Sequence, residues 1–150
     1  MRDAAPDRLP RTLYVETTNR CNLRCRGCIQ YRGSWEAPRD LTLVEFEEIV
    51  DQASGAERFM LHGIGEPLLN PQLPAMIQRV KTGGASAAIN SNGTLLDRRM
   101  AEALIEAGLD ELRLSLDAAT PEGYAAVRGG DFEALLGRIR AFVMQMLRGG

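Results

Sequence analysis

Apolar residues along this chain follow two alternating spacings, and the alternation predicts a repeated strand–helix unit. Short apolar runs end in polar or glycine-rich loops, and each loop is followed by apolar residues spaced three and four apart. The first pattern is typical of buried strands and the second of helices with one buried face. Strands that alternate with helices run parallel, because each helix returns the chain to the same edge of the sheet. The sequence therefore predicts an α/β domain with a parallel sheet.

The boundaries of the predicted elements follow from the same pattern. Thr42 and Glu45 have the spacing of a capping box, which places the start of the first helix, and Gly83 and Gly84 end the second. The predicted strands are 13–16, 58–62, 86–90 and 111–117. The predicted helices start at residue 42, near residue 71, at about 96 (ending near 107) and at about 131, with a short helical turn after residue 121.

Composition indicates a globular chain rather than a disordered or membrane-spanning one. Of the 150 residues, 45% are hydrophobic and 25% are charged, and the formal net charge is −2, so the chain can bury one core. No apolar run is long enough to cross a bilayer, and no aromatic residues lie between basic ones as nucleic-acid stacking requires. Neither a membrane nor a nucleic acid is expected as a partner. Residues 1–10 lack the apolar middle of a signal peptide and are expected to form a loose leader before a core over 11–150.

All three cysteines lie within eight residues, as Cys21, Cys25 and Cys28. Thiolates are soft ligands for iron–sulfur clusters, zinc or Cu(I), and the polar, turn-prone residues around them offer little apolar surface for a buried helix face. Metal or cluster ligation is therefore favoured over a purely structural role. An odd number of clustered cysteines suits a reducing compartment, so a cytoplasmic location is expected. With His62, the only histidine, the same thiols would make a Cys₃His zinc site, which is the rival interpretation.

Glycines and polar residues follow the second, third and fourth predicted strands. In parallel α/β barrels the loops after the strands meet at one face, and ligand-binding groups gather there. Taken one at a time, these residues are also typical of turns and helix caps. Arg128 could pair a ligand carboxylate, although a solvated arginine is the more usual case. The residues at the strand ends are Gly63, Gly65, Glu66, Asn92, Ser115 and Asp117.

The spacing Cys21-x-x-x-Cys25-x-x-Cys28 directly after a strand, with Gly63-Ile64-Gly65-Glu66-Pro67 after the next one, resembles the radical S-adenosylmethionine (SAM) superfamily, in the branch of peptide-modifying and cofactor-maturing enzymes. The resemblance implies a parallel-stranded partial (β/α) barrel, of which about four strand–helix units are present. It implies that the three cysteines bind three irons of a 4Fe–4S cluster, whose fourth iron is chelated by SAM. Gly63, Gly65 and Glu66 would then bind the amino group of SAM. Asn92, Ser115 and Asp117 would help to bind its ribose and carboxylate.

The same resemblance implies a reaction and its partners. Reductive cleavage of SAM gives methionine and a 5′-deoxyadenosyl radical, which abstracts hydrogen from a substrate that is either a peptide or a small molecule. An electron donor such as a flavodoxin-like or ferredoxin-like protein is implied. Arginines around the cysteine loop would attract an acidic partner or would only solvate the loop; they are Arg20, Arg24, Arg26, Arg32 and Arg39.

Four units are fewer than the six that are usual for a core of this family. The core over 11–150 is therefore expected to be incomplete at its C-terminus, either as a fragment or as a half-core that a partner chain completes. The alternative function is that of a non-catalytic iron–sulfur or Cys₃His zinc binding fragment that has lost the rest of the core. Zinc alone would leave the polar residues at the strand ends without a purpose.

Overall fold

The computed structural model describes residues 10–32, 37–53 and 55–149. Within them, four strands form one parallel sheet in the order β1-β2-β3-β4. The strands are β1, Thr12–Tyr14; β2, Arg58–Met60; β3, Ser86–Ser91; and β4, Glu111–Leu114. The sheet stays open, so the predicted fold class, a parallel α/β partial barrel, is confirmed.

Five α-helices lie in the described part of the chain, between the strands and after the last of them. At the first helix the predicted capping box is present: the Thr42 hydroxyl accepts the Glu45 N–H at 3.3 Å, and the Glu45 carboxylate accepts the Thr42 N–H at 2.8 Å. Short 3₁₀ turns cover Ile29–Arg32 and Pro67–Leu69. The helices are α1, Leu43–Gln52; α2, Leu73–Thr82; α3, Arg98–Glu106; α4, Pro121–Arg128; and α5, Phe132–Gly149.

Two helices begin later than predicted, because local hydrogen bonds hold the preceding residues in turns. The start of α2 is Leu73 rather than residue 71, since the Asn70 side-chain oxygen accepts the Gln72 N–H at 2.9 Å and closes a turn before the helix. The start of α3 follows Asp97, whose carboxylate accepts the Met100 N–H at 2.8 Å as an N-cap. Sequence spacing alone does not separate a capping turn from the first turn of a helix.

The segment after β4 also differs from the prediction. The strand ends at Leu114 rather than at residue 117, and Asp117 has a φ of 55°, outside the extended region. The short turn predicted after residue 121 is the complete helix α4, because Thr120 caps it by accepting the Gly123 N–H at 3.1 Å. It stops at Gly129, which takes the left-handed conformation with a φ of 72°.

The main hydrophobic core lies between one face of the sheet and the helices. Phe59 of β2 and Ile89 of β3 belong to it, whereas the alternate residues Met60 and Ala88 point to the other face and do not. A second, smaller core joins α4 to α5 under the end of β4 and consists of Tyr124, Phe132 and Leu135. Helix residues fully buried in the main core are Phe46, Leu73, Met76, Ile77 and Leu104.

The parallel register places the carboxyl ends of the four strands at one edge of the sheet. Tyr14 pairs with Met60, Met60 with Ala88, and Ser91 with Leu114. The loops that follow the strands therefore emerge side by side, and every candidate site residue from the sequence analysis lies in or next to one of these loops. We therefore expect a functional site at this edge of the sheet.

The predicted leader over residues 1–10 lies outside the described residues except for Pro10. Over 10–32, 37–53 and 55–149, no helix combines the length and the apolar character that crossing a membrane would take. That 11–150 make up an incomplete core remains a prediction.

Replacing Leu104 with alanine tests the position of the main core. Leu104 of α3 is 0% exposed, whereas Leu147 of α5 is 73% exposed. We expect Leu104→Ala to lower the free energy of unfolding by about 2–5 kcal/mol, since it deletes buried methyl groups and leaves a cavity. The matched variant Leu147→Ala should change it by less than about 0.5 kcal/mol. Urea denaturation measures both, and equal losses would contradict this packing.

Candidate functional site

The cysteine loop, residues 21–28, lies at the carboxyl edge of the sheet after β1. Cys21, Cys25 and Cys28 are free thiols, and each is half-buried. The Cys28 N–H donates to the Cys25 carbonyl oxygen at 3.0 Å, which closes a turn between the second and third thiols. Burial raises the pKa of the Cys21 thiol, because a thiolate there loses hydration. The loop thus presents three thiols from one short segment.

Arg20 holds the base of this loop instead of contributing to a basic rim. Its guanidinium donates to Asp40 Oδ1 at 2.9 Å and to the Leu69 carbonyl oxygen at 3.2 Å. Thr18 donates its hydroxyl to the same Asp40 oxygen at 2.7 Å. Burial alone would raise the pKa of Asp40, but the hydrogen bonds from Thr18 and Arg20 and the Arg20 charge hold it below its usual value. Arg20 is therefore a structural residue.

Of the other arginines around the loop, Arg39 is paired with Glu45 at 2.9 Å, while Arg24 and Arg26 are exposed. The side chain of Arg32 lies outside the described residues. The predicted basic rim is accordingly reduced to Arg24 and Arg26 within the described part.

The three thiols open onto one pocket of about 210 Å³ at the carboxyl edge of the sheet. The loops after β2, β3 and β4 form its other walls. Eight of the nine site residues singled out from the sequence line this pocket: Cys21, Cys25, Cys28, Gly63, Gly65, Glu66, Asn92 and Ser115. The ninth, Asp117, is ion-paired with Arg128, which also lines it. The sequence-predicted residues are thus brought together.

Gly63 and Gly65 allow the loop after β2 to approach the chain after β1. A Cβ on Gly65 would lie 2.0 Å from the Thr18 carbonyl oxygen, and one on Gly63 would lie 2.4 Å from Glu16 Oε1. The Glu16 carboxylate accepts the N–H groups of Ile64 and Gly65. Glycine is required at position 65 because the two loops touch there through their backbones, whereas a Cβ on Gly63 would meet the Glu16 side chain.

Glu66 connects three loops around the pocket. Its backbone N–H donates to the Arg20 carbonyl oxygen at 2.7 Å, directly before Cys21. Its carboxylate accepts the Ser91 hydroxyl at 2.7 Å and the Asn92 N–H at 2.7 Å, and it caps its own loop by accepting the Leu68 N–H at 3.1 Å. The residue is only 2% exposed. Burial raises the pKa of this carboxyl group, although its hydrogen bonds and the charge of Arg128 oppose the shift.

Asn92 ties the loop after β3 to the cysteine loop. Its amide nitrogen donates to Asn22 Oδ1 at 2.9 Å, and its amide oxygen accepts the Thr94 N–H at 2.9 Å. Asn22 in turn donates to the Thr94 hydroxyl at 2.7 Å. Asn22 lies between Cys21 and Cys25, so this network fixes the middle of the ligand-bearing segment.

The loop after β4 reaches the cysteine loop through Arg128. The Ser115 N–H extends the strand pairing by donating to the Ser91 carbonyl oxygen at 2.9 Å. The guanidinium of Arg128 is paired with the Asp117 carboxylate and donates to Cys25 Sγ at 3.5 Å. Only 16% of the Arg128 side chain is exposed, so the expectation of a solvated arginine was wrong.

His62 and Asn90 also line the pocket, at the ends of β2 and β3. The His62 ring packs edge-on against Tyr14 with centroids 5.6 Å apart, and burial lowers the pKa of His62, with the charge of Arg113 acting in the same direction. Buried His62 Nε2 and Asn90 Oδ1 have no hydrogen-bond partner in the described residues. Among those residues, no group of three or more His, Cys, Asp or Glu side chains is arranged to hold a single metal ion.

Besides Asn90, sequence reasoning missed Glu16, Ser91 and Asn22 at this site. Glu16 and Ser91 lie at strand ends like the residues that were found, so their position along the predicted strands was a usable signal. Asn22 gave no such signal, because an asparagine in a polar loop is ordinary and its partners lie 70 and 72 residues away in sequence.

The model of the Radical SAM superfamily matches residues 15–147. A tungsten-containing aldehyde ferredoxin oxidoreductase cofactor-modifying protein of Pyrococcus furiosus is 39% identical over 109 residues, which cover 70% of this chain and 30% of that protein. A GTP 3′,8-cyclase of Limosilactobacillus fermentum is 36% identical over 137 residues, covering 87% of this chain and 41% of that enzyme. The chain therefore spans less than half the length of these relatives.

Solved structures share the fold at lower identity. SuiB of Streptococcus suis, bound to precursor peptide SuiA, matches 89% of this chain and 30% of its own with a TM-score of 0.76 and 19% identity. Methylornithine synthase (PylB) matches 89% of this chain and 41% of its own with a TM-score of 0.68 and 21% identity. These likenesses concern the fold alone.

Replacing Gly65 with alanine tests the close approach of the two loops. The new methyl group would meet the carbonyl oxygens of Thr18 and Arg20 at 2.0 and 2.8 Å. We expect Gly65→Ala to lower the free energy of unfolding by about 1–3 kcal/mol, because backbone rather than a flexible side chain must move. The matched variant Gly27→Ala, whose Cβ would meet nothing within 4 Å, should be close to neutral. Equal stability of both variants would contradict the geometry.

Replacing Glu66 with glutamine tests its role as the connection between loops. Glutamine keeps the shape of the side chain but replaces one acceptor oxygen with an NH₂ donor. That NH₂ group would face either the Asn92 N–H or the Ser91 hydroxyl and Leu68 N–H, which are themselves donors. We expect a loss of about 1–3 kcal/mol in the free energy of unfolding, since one buried N–H is left without an acceptor. Glu102, whose side chain is 44% exposed and pairs with Arg98, offers the control. Glu102→Gln should not measurably change the free energy of unfolding.

The pH dependence of that loss follows from the raised pKa of Glu66. The folded chain holds this proton to higher pH than the unfolded chain, so the contribution of Glu66 to stability is greatest in acid and falls as pH rises through the raised value. The difference in unfolding free energy between the wild type and Glu66→Gln should therefore narrow from acid to neutral pH. A difference that widens would contradict the assignment.

Proposed function

Because the chain belongs to the radical SAM superfamily, we propose that it binds a 4Fe–4S cluster through Cys21, Cys25 and Cys28 and binds SAM beside that cluster. The observation that carries the proposal is the single pocket onto which all three thiols and the loops after three strands open. Within the described residues, this pocket brings together the three thiols and five of the six strand-end residues named from the sequence. The family membership makes radical SAM chemistry the function class that the site supports best.

The donor set is suited to a cluster. Iron–sulfur clusters are held by cysteine thiolates, and the three thiols here are free, half-buried and carried by one loop. A single zinc ion with Zn–S bonds of about 2.3 Å would draw its sulfurs to about 3.8 Å from one another. A cubane instead places each cysteine on a different iron, and within the described residues no three His, Cys, Asp or Glu side chains are arranged to hold a single metal ion, which favours the cluster.

Reductive cleavage of SAM, giving a 5′-deoxyadenosyl radical that removes hydrogen from a substrate, is the chemistry that the cluster and SAM supply when bound. The protein itself binds and orients the cluster and SAM. Gly63 and Gly65 contribute backbone to the wall of the pocket, and in this proposal main-chain carbonyl oxygens of this loop accept hydrogen bonds from the amino group of SAM.

Glu66 and Asn92 serve the SAM site chiefly by holding it together. Both side chains line the pocket, yet their hydrogen bonds within the chain already occupy most of their polar atoms. Their contribution is to fix the loops after β2 and β3 against the cysteine loop. A remaining lone pair on either side chain is the part that SAM would meet.

Ser115 and Asp117 offer the hydroxyl and carboxylate that suit a ribose diol or an ammonium group. Ser115 lines the pocket, and its backbone is fixed by the bond to β3. The Asp117 carboxylate keeps 53% of its surface exposed even though it is paired with Arg128. We assign to these two residues the polar contacts to SAM at the end of β4.

The substrate is proposed to be a peptide or a small molecule. One relative is named as acting on GTP, and one structure of the same fold holds a precursor peptide. A flavodoxin-like or ferredoxin-like protein would deliver the electron. The exposed Arg24 and Arg26 on the cysteine loop would favour an acidic donor, because charged surfaces steer association.

Anaerobic reconstitution with iron and sulfide tests this function. We expect about four irons and four sulfides per chain, a brown absorbance, and release of 5′-deoxyadenosine from SAM when dithionite is added. Cys28→Ala should lose the stable cluster and the cleavage, whereas His62→Gln should keep the cluster, because the histidine is not among the proposed ligands.

The other outcomes discriminate the alternatives. A four-iron cluster with no SAM cleavage would indicate a non-catalytic iron–sulfur protein. Stoichiometric zinc that is lost in both Cys28→Ala and His62→Gln would overturn the proposal in favour of the Cys₃His site. A chain that contains no metal after purification and takes up no iron on reconstitution would also contradict the proposal.

A further inference from the structure

Within the described residues, Arg128 is a cationic side chain in direct contact with one of the proposed cluster ligands. One guanidinium nitrogen, Nη1, is 3.5 Å from Cys25 Sγ and donates to it, and the other, Nη2, is paired with the Asp117 carboxylate. The side chain is 16% exposed, so solvent screens its charge only partly. Arg128 thus joins a thiol of the cysteine loop to the end of β4.

The backbone holds this arrangement from both sides. The Arg26 N–H donates to the Val127 carbonyl oxygen at 2.9 Å, which ties the cysteine loop to the last turn of α4. Cys25 Sγ also lies 3.9 Å from the Arg128 carbonyl oxygen. Gly129, with a φ of 72°, ends the helix directly after Arg128. The position of the guanidinium is therefore a property of how two loops pack, and not of one flexible side chain.

Charge at this distance affects the reduction of a bound cluster. Reduction adds one electron, and so one negative charge, without forming or breaking a bond. A cation that donates a hydrogen bond to a ligand sulfur stabilises the reduced form more than the oxidised form, which raises the reduction potential. The carboxylate of Asp117 acts in the opposite direction, because it pairs with Nη2 of the same guanidinium whose Nη1 donates to Cys25 Sγ.

We propose that Arg128 and Asp117 form a charge pair that sets the reduction potential of the cluster: Arg128 raises it through Cys25, and Asp117 limits the rise. This inference rests on the proposed function, since it needs the cluster to be present. It gives Arg128 a role as a positioning and tuning residue for Cys25, and it requires no contact between Arg128 and the substrate.

Potentiometric titration of the reconstituted chain, followed by EPR without SAM, tests the pair. Dithionite supplies the electron and the cluster accepts it. We expect Arg128→Gln to shift the midpoint potential to a more negative value, because it removes the cation and leaves the Asp117 charge unopposed. Asp117→Asn should shift it to a more positive value. Arg128→Lys, which keeps the charge, should shift it less than Arg128→Gln.

The matched control is Arg98→Gln, which changes the net charge equally at an 87% exposed side chain on α3 and should leave the potential unchanged. Shifts of the same sign in Arg128→Gln and Asp117→Asn, or no shift in either, would overturn the inference. A merely structural role for Arg128 would not produce shifts of opposite sign.

The design separates this inference from the proposed function. A wild-type chain that binds no four-iron cluster overturns both. A wild-type cluster whose potential does not respond to the charge pair overturns the inference alone. If Arg128→Gln does not assemble a cluster, Asp117→Asn still decides: a shift to a more positive potential supports the inference, and no shift or a shift to a more negative potential overturns it.

Discussion

The buried carboxylate of Glu66 is the constraint on which the rest of the site depends. Its oxygens accept hydrogen bonds from the loop after β3 and from its own loop, while its N–H donates to the segment just before Cys21. A buried carboxylate is costly unless such donors surround it. Burial still raises the pKa of Glu66, so the hydrogen bonds offset only part of the free energy lost when the carboxylate is removed from water. The hydrogen bonds that Glu66 makes also hold the loops after β1, β2 and β3 together around the thiols. These bonds therefore shape the walls of the pocket.

The order of the sheet explains why distant residues meet. Parallel strands deliver their loops to one edge, so Cys21, Glu66, Asn92 and Ser115 become neighbours although they span most of the chain. Each loop is then bonded to the next. Asn22 joins Asn92, and the remaining link is made by the guanidinium that touches Cys25. The site is therefore a product of topology first and of individual side chains second.

The elements of this fold were largely predictable, because apolar spacing, capping residues and glycine stops are local signals. The placement of the site at strand ends followed from the same reasoning. The sequence does not indicate which polar side chains form hydrogen bonds with other loops of the chain instead of facing a ligand. Glu66 and Asn92 were expected to face a ligand, and the structure shows that they mainly bind the chain itself. Arg128 was expected to be solvated, and only its three-dimensional neighbours, Cys25 and Asp117, reveal its position.

We propose that the three thiols hold a cluster whose fourth iron faces the strand ends and binds SAM there. The most direct measurement is electron–nuclear double resonance of the reduced, reconstituted chain with SAM labelled with ¹⁵N at its amino group. We expect a hyperfine coupling between the cluster and the labelled nitrogen, together with a change in the EPR signal when SAM is added. A fully formed cluster that shows neither the coupling nor any response to saturating SAM would contradict it.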